Sequence, residues 1–171
     1  MEQPRKKERV DVFDFEGNYP ELTNIDISAR KKKHVEFYLT GEYPVLESVN
    51  YEGSFGILEG KLTGNFPKLA LINFLCTNCA MKLDLATKWQ KSCVITIRGE
   101  DEDIYLTLPK DVGLVVHTKT AVKGKVIVPE GLKKKNRFGI RNKTFENELA
   151  QTAEIVITLN VELAEGCIIL N

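Results

Sequence analysis

"LTGEYPVLESVNY" at 39–51 returns twenty-three residues later as "LTGNFPKLALINF" at 62–74. Both copies run Leu-Thr-Gly, a polar residue, an aromatic and a proline, then share a leucine (Leu46, Leu69) and end on two apolar residues separated by Asn (Val49 and Tyr51, Ile72 and Phe74). Extending this alignment in both directions divides the chain into rungs at 16–39, 40–62, 63–85, 86–108 and 109–132. Self-similarity at this period marks a stack in which each unit buries its apolar face only against its neighbours. The expected fold is all-β, a single-domain β-solenoid of about five rungs of about 23 residues with capping strands at its ends.

The columns of the alignment carry that expectation. Ile25, Val49, Ile72, Ile95 and Thr118 form one, and Ile27, Tyr51, Phe74, Ile97 and Thr120 the next, two residues on. Later in the rungs Val35/Phe37/Leu39, Met81/Leu83/Leu85 and Ile104/Leu106/Leu108 alternate in the same way. Alternation by two is the strand period. The second rung is weaker there, where Gly60 interrupts it. Tyr19, Tyr43, Phe66, Trp89 and Val112 read as a ladder at a corner, with Gly17, Gly41 and Gly64 shaping the turn. A leucine-rich repeat shares the period, but its expected Asn or Cys is replaced by Arg30, Ser54 and Thr77. The returning half also lacks helical spacing.

Residues 1–8 read as a disordered tail ahead of one domain at 9–171. "RVDVFDF" (9–15) is expected to cover one end of the stack. At the other, a polar loop (133–148) leads to closing strands in "EIVITLNVELAEGCIIL" within 154–170. Caps of this kind keep an open strand edge from templating aggregation.

Hydrophobic residues make up 43% of the chain and charged residues 28%, as in a folded globular protein. Twenty-four basic residues balance twenty-four acidic ones, so the basic excess of a nucleic-acid binder is missing. Cys76, Cys79, Cys93 and Cys167 show no disulfide framework, which favours a reducing compartment. The N-terminal sequence lacks an apolar signal core, and no apolar window is long enough to span a bilayer. A cytoplasmic location is expected.

The stretch "DIYLTLPKDVGLVVHTKTAVKGKVIV" (103–128) and the tail with Phe145 and "AEIVITLNVELAEGCIIL" complete a family pattern. The chain resembles the toast-rack β-solenoid domains of bacteria: the C-terminal domains of LiaF-type cell-wall-active antibiotics response proteins and the related "putative adhesin" domains. The resemblance spans roughly 16–170 and rests on fold signatures without catalytic content. It implies a sensory, regulatory or interaction module near the cell envelope and no enzymatic activity. Such domains often follow transmembrane helices or export signals. The sequence here has neither, which points to a cytoplasmic or membrane-peripheral version.

No residue set names a reaction, and no cofactor is expected. "CTNC" puts Cys76 and Cys79 at metal-ligand spacing, but no second ligand pair falls in the adjacent rungs, so they read as turn residues and only weak metal candidates. His34 and His117 have no neighbouring nucleophile. Carboxylates of "GEDED" (99–103) sit in one turn rather than converging from several rungs, as a carbohydrate-active enzyme would require. The turns do form a charged edge. Arg30, Lys31, Lys32, Lys33 and His34 mark a basic end, and Glu100, Asp101, Glu102 and Asp103 an acidic zone, roughly 14 Å apart at three rung spacings. Lys133, Lys134, Lys135 and Arg137 make a second basic loop able to touch a partner or anionic lipid. The expected function is binding of a protein partner, with no nucleic acid. Its alternatives are a self-assembling structural protein and a carbohydrate-active enzyme.

Overall fold

The computed structural model describes residues 10–31, 33–121, 123–135 and 141–171. The expected tail at 1–8, Lys32 and Arg137 lie outside them. In chain order the strands are β1 (Asp11–Phe15), β2 (Asn24–Arg30), β3 (His34–Leu39), β4 (Ser48–Leu62), β5 (Leu71–Asp84), β6 (Cys93–Gly99), β7 (Ile104–Thr107) and β8 (Gly113–Thr120). They are followed by β9 (Lys125–Ile127), β10 (Lys133–Lys134), β11 (Asn142–Glu146), β12 (Val156–Leu163) and β13 (Cys167–Leu170). One short 3-10 helix covers Glu148–Gln151. All thirteen strands belong to one sheet.

From β2 to β7 the pairing is parallel and follows the sequence columns. Ile25 lies opposite Val49, Val49 opposite Ile72, and Ile72 opposite Ile95. In the returning half Val35, Leu58, Met81 and Ile104 align in the same way. The turns repeat down to single hydrogen bonds. The amides of Leu22, Leu46 and Leu69 each donate to the carbonyl of the aromatic three residues earlier, Tyr19, Tyr43 and Phe66. Those rings stack, Tyr19 on Tyr43 at 5.3 Å and Tyr43 on Phe66 at 5.4 Å between centroids. Such pairs contribute about 0.5–1.5 kcal/mol each beyond area burial.

Inward residues of the two halves meet in a continuous apolar core. Phe37, from a returning half, contacts Phe74, from a leading half, edge to face at 6.1 Å. Gly60, the interruption in the second rung, lies in register between Phe37 and Leu83. A Cβ there would stand 2.7 Å from Leu83 Cδ2, so the missing side chain is the space that its neighbours fill. On the outer face Asn73 donates to Asn50 and Asn50 to Asp26, each at 2.8 Å, an amide ladder running across three strands.

Two expectations fail at the C-terminal side. Thr118 and Thr120 do not stack on Ile95 and Ile97, because β12 lies between β6 and β8 and pairs in parallel with both. Leu159 sits between Ile95 and Val116, and Val161 between Ile97 and Thr118. The closing strands are therefore interior to the sheet, with β13 likewise between β7 and β9. The reason is apolar surface: Ile157, Leu159, Val161 and Leu163 of β12 are all buried, so this strand has a fully apolar inner face to bury on both sides. The end position falls instead to the segment expected to be a polar loop. β11 packs antiparallel on β8 and buries Phe145. The Asn147 amide bonds the Leu114 amide and the Val112 carbonyl. At the opposite side β1 stacks in parallel on β3.

Candidate functional site

In the first three rungs the turn between the leading and returning halves contains a left-handed residue other than glycine. Lys31, Phe55 and Asn78 have φ of 64°, 67° and 51°, and the residues before them, Arg30, Ser54 and Thr77, are in register. Asn tolerates this conformation; Lys and Phe lose roughly 1–2 kcal/mol to their Cβ in it. Phe55 is also 57% exposed, with Ile57 at 44% beside it. Gly56 follows at φ 104°, where a Cβ would lie 1.9 Å from the Lys33 carbonyl oxygen, so only glycine fits beside Phe55. The next turn along the edge carries Glu100, Asp101 and Glu102, all exposed. After it comes the turn preceding β13, whose Glu165 amide donates to the Glu100 carbonyl at 2.7 Å, and only then the turn after β8.

The charged residues expected on this edge divide into free and engaged groups. Lys31 and Lys33 are exposed at the first end. Arg30 is tied to Glu52 at 2.6 Å, an exposed pair contributing about 0–1 kcal/mol. Asp103 is a turn residue rather than a recognition group: its Oδ1 accepts the Cys167 amide at 2.7 Å and its Oδ2 the Tyr105 hydroxyl at 3.3 Å. The second basic segment is not joined to the first, since β10 and β2 lie at opposite ends of the strand order. Lys133 binds Glu148 at 2.8 Å and Lys135 binds Glu146 at 3.3 Å, while Lys134 is exposed. The mutual hydrogen bond raises the Lys133 ammonium and lowers the Glu148 carboxyl from their ordinary values.

Cys76 and Cys79 depart from the expectation of reduced turn residues. They are buried and joined in a disulfide, their Cα atoms 5.6 Å apart, inside the span such a bond requires. Left-handed Asn78 between them closes that distance. Bonded to each other, neither offers a thiolate to a metal. Cys93 is buried and its thiol is pushed up to about 12 by desolvation. Native protein treated with iodoacetamide at mildly alkaline pH should therefore be labelled only at half-buried Cys167. Denaturation without reductant should raise the count to two, and reduction to four, read by intact mass. Three or more labels before reduction would contradict the disulfide.

Two grooves mark the surface, and the smaller of them reaches the turn edge itself at Cys76, Gly99 and Glu100. One of about 610 Å³ includes Arg98, Lys119 and Glu162, and the Glu162 carboxylate stands between the two cations at 3.8 and 3.6 Å. That is an ion-pair network rather than a poised acid. Another, of about 800 Å³, is bounded by Trp89, Pro109 and Ile155. His117, exposed, contacts the Thr144 hydroxyl at 3.1 Å. Among the described residues, His34, Glu36 and Glu59 place one imidazole nitrogen and two carboxylate oxygens within 4.8 Å of one another.

The fold is shared with a protein of known structure. A "putative cell adhesion protein" from Clostridium sporogenes superimposes with a TM-score of 0.59 over 92% of this chain and 96% of its own. Sequence identity is 13%, so the likeness is one of fold. No protein-family model matches the chain, and no curated protein matches its sequence. No helix among the described residues is long and apolar enough to cross a membrane.

Phe55 is not among the charged residues expected on this edge from the sequence.

Proposed function

We propose that this chain is a toast-rack-type β-solenoid acting as a non-catalytic protein-binding module. Its partner docks on the turn edge around Phe55, with Lys31 and Lys33 on one side and Glu100, Asp101 and Glu102 on the other. Support for the solenoid comes from parallel, in-register pairing at offsets of 23 to 24 residues from Asn24 to Gly99. The observation that carries the binding role is Phe55 itself, a bulky aromatic more than half exposed in a conformation costly to its side chain. Backbone strain persists where the surroundings over-determine it, and such places cluster at binding sites. Exposed aromatics ringed by charge supply the anchors of protein interfaces, with the charges steering approach. A binding role also accords with the cell-adhesion description of the clostridial neighbour, and with the envelope-linked regulatory or stress-response role that the family resemblance suggests.

The experiment is in-cell crosslinking of a tagged copy followed by mass spectrometry, comparing the wild type with Phe55→Ser. Phe55→Ser exposes no core and should leave the melting temperature within a few degrees, while recovery of the partner falls by roughly tenfold or more, as for a hot-spot residue. Undiminished recovery with Phe55→Ser would refute the edge. A second reading, self-assembly, is favoured by one observation: among the described residues β2 pairs on one side only, with β4. Recovery of self-crosslinked copies alone, joined through β2, would replace the first reading with the second. Stable disulfides favour oxidising surroundings, so the Cys76–Cys79 bond bears on whether the location is the expected cytoplasmic or membrane-peripheral one or an oxidising one. The thiol count of protein alkylated in intact cells decides between them.

A further inference from the structure

His34 and Glu36 are two residues apart on β3 and point to the same outer face, and Glu59 of β4 lies directly opposite Glu36. Two carboxylates facing each other across adjacent strands repel. Among the described residues their compensation is incomplete. Lys82 reaches Glu59 Oε1 only at 3.8 Å, from a side chain 72% exposed. The Tyr38 hydroxyl donates to Glu36 Oε2 at 3.1 Å, which leaves Oε1 turned towards the imidazole. His34 Nε2 is sealed from solvent and makes no hydrogen bond among the described residues, with Glu36 Oε1 standing off at 3.9 Å. A buried ring nitrogen without a partner, aimed at two carboxylates, is a group that lacks its ligand.

We propose that His34 Nε2, Glu36 and Glu59 form a binding site for a divalent transition-metal cation of the zinc class. One nitrogen and two oxygens are donors such ions accept, and three protein ligands leave a further coordination position open. The imidazole sets the choice, because magnesium and calcium favour all-oxygen surroundings. Tetrahedral bonds near 2.0–2.2 Å put ligand atoms roughly 3.4 Å apart, so the three donors, now within 4.8 Å of one another, would close further on the ion. Tyr38 then acts as a positioning residue that holds one oxygen of Glu36 and presents the other. Lys82, exposed and weakly held, swings into solvent. Bound metal would join the first and second rungs beside the turn edge without using Cys76 or Cys79.

The test is a Zn²⁺ titration of the full chain, with the disulfide intact, against a chromophoric chelator. It compares wild type, Glu59→Gln and His34→Ala, with each fold checked by circular dichroism. Glu59→Gln keeps size and sits at a half-exposed position, so it reports on binding even if His34→Ala disturbs the strand. Wild type should take up one Zn²⁺ per chain, shift the His34 side-chain ¹⁵N resonance, and resist displacement by an excess of Mg²⁺. Each variant should bind roughly 10–100-fold more weakly. No uptake by the wild type at millimolar Zn²⁺, unchanged affinity in Glu59→Gln, or displacement by equimolar Mg²⁺ would each overturn the proposal.

Discussion

Ile72→Asp should leave the chain without a cooperative folded state. Ile72 is fully buried at the middle of β5, with Val49 on one side and Ile95 on the other. Removing it forfeits the burial of a large aliphatic side chain, about 1.5–3 kcal/mol. The replacement then brings a carboxyl group into a core where no donor waits, at a further cost of several kcal/mol whether it stays charged or takes up a proton. The sum is comparable with the roughly 5–15 kcal/mol that holds a typical domain together. Because β5 joins β4 on one side to β6 and β7 on the other, damage there divides the sheet in two. Far-UV circular dichroism during heating should show no transition, whereas Lys88→Ala, at an exposed turn, should melt within about 0.5 kcal/mol of the wild type. Similar mild effects from both would refute the register.

Gly41→Ala should be the most damaging of the small substitutions. A Cβ at this position would lie 2.0 Å from the Gly17 carbonyl oxygen, a backbone atom of the neighbouring rung. The same oxygen accepts the Glu42 amide at 2.8 Å, so a shift that relieves the clash breaks that bond. Overpacking and a lost backbone hydrogen bond between neighbouring turns together predict about 3 kcal/mol, or a fall in melting temperature of roughly 6–12 °C for a chain this size. Gly131→Ala is the control, since nothing lies within 4 Å of its added Cβ. It should change stability by less than about 0.5 kcal/mol. Comparable losses for the two would show that the glycine column is not set by close approach of neighbouring rungs.

The two glycines show how far sequence reading reached. Gly17, Gly41 and Gly64 recur at the repeat interval, and that was enough to place a corner. Their shared reason was different from the expected one: only Gly17 has a left-handed φ, while Gly41 and Gly64 are small because the next rung passes so close. The pairing of β4 with β5 was readable because both carry apolar residues at every second position over a long span. The position of β12 was not. Periodicity reports which face of a strand is buried, but not which strands flank it, and a strand that closes the chain need not close the stack. Phe145 was hidden for a related reason, as a single apolar residue in a polar segment has no period.

The disulfide could not be deduced from cysteine spacing alone, because it depends on Asn78 turning left-handed. The cluster around His34, by contrast, was present in the sequence. The interval that brings Ile72 to Ile95 also carries Glu36 onto Glu59, beside an outward histidine. Attention to acids within one turn, at 99–103, obscured acids meeting across two strands.

The turn edge and the His34 cluster both depend on the order of the strands, and the placement of β12 is its least expected feature. Native-state hydrogen exchange with residue resolution tests it most directly. If β12 lies between β6 and β8, its amides from Ile157 to Leu163 should exchange only through global unfolding, as slowly as those of Val94 to Arg98, while β11 at the end exchanges faster. Exchange of β12 as fast as β11, with β6 protected alone, would contradict the order of the stack.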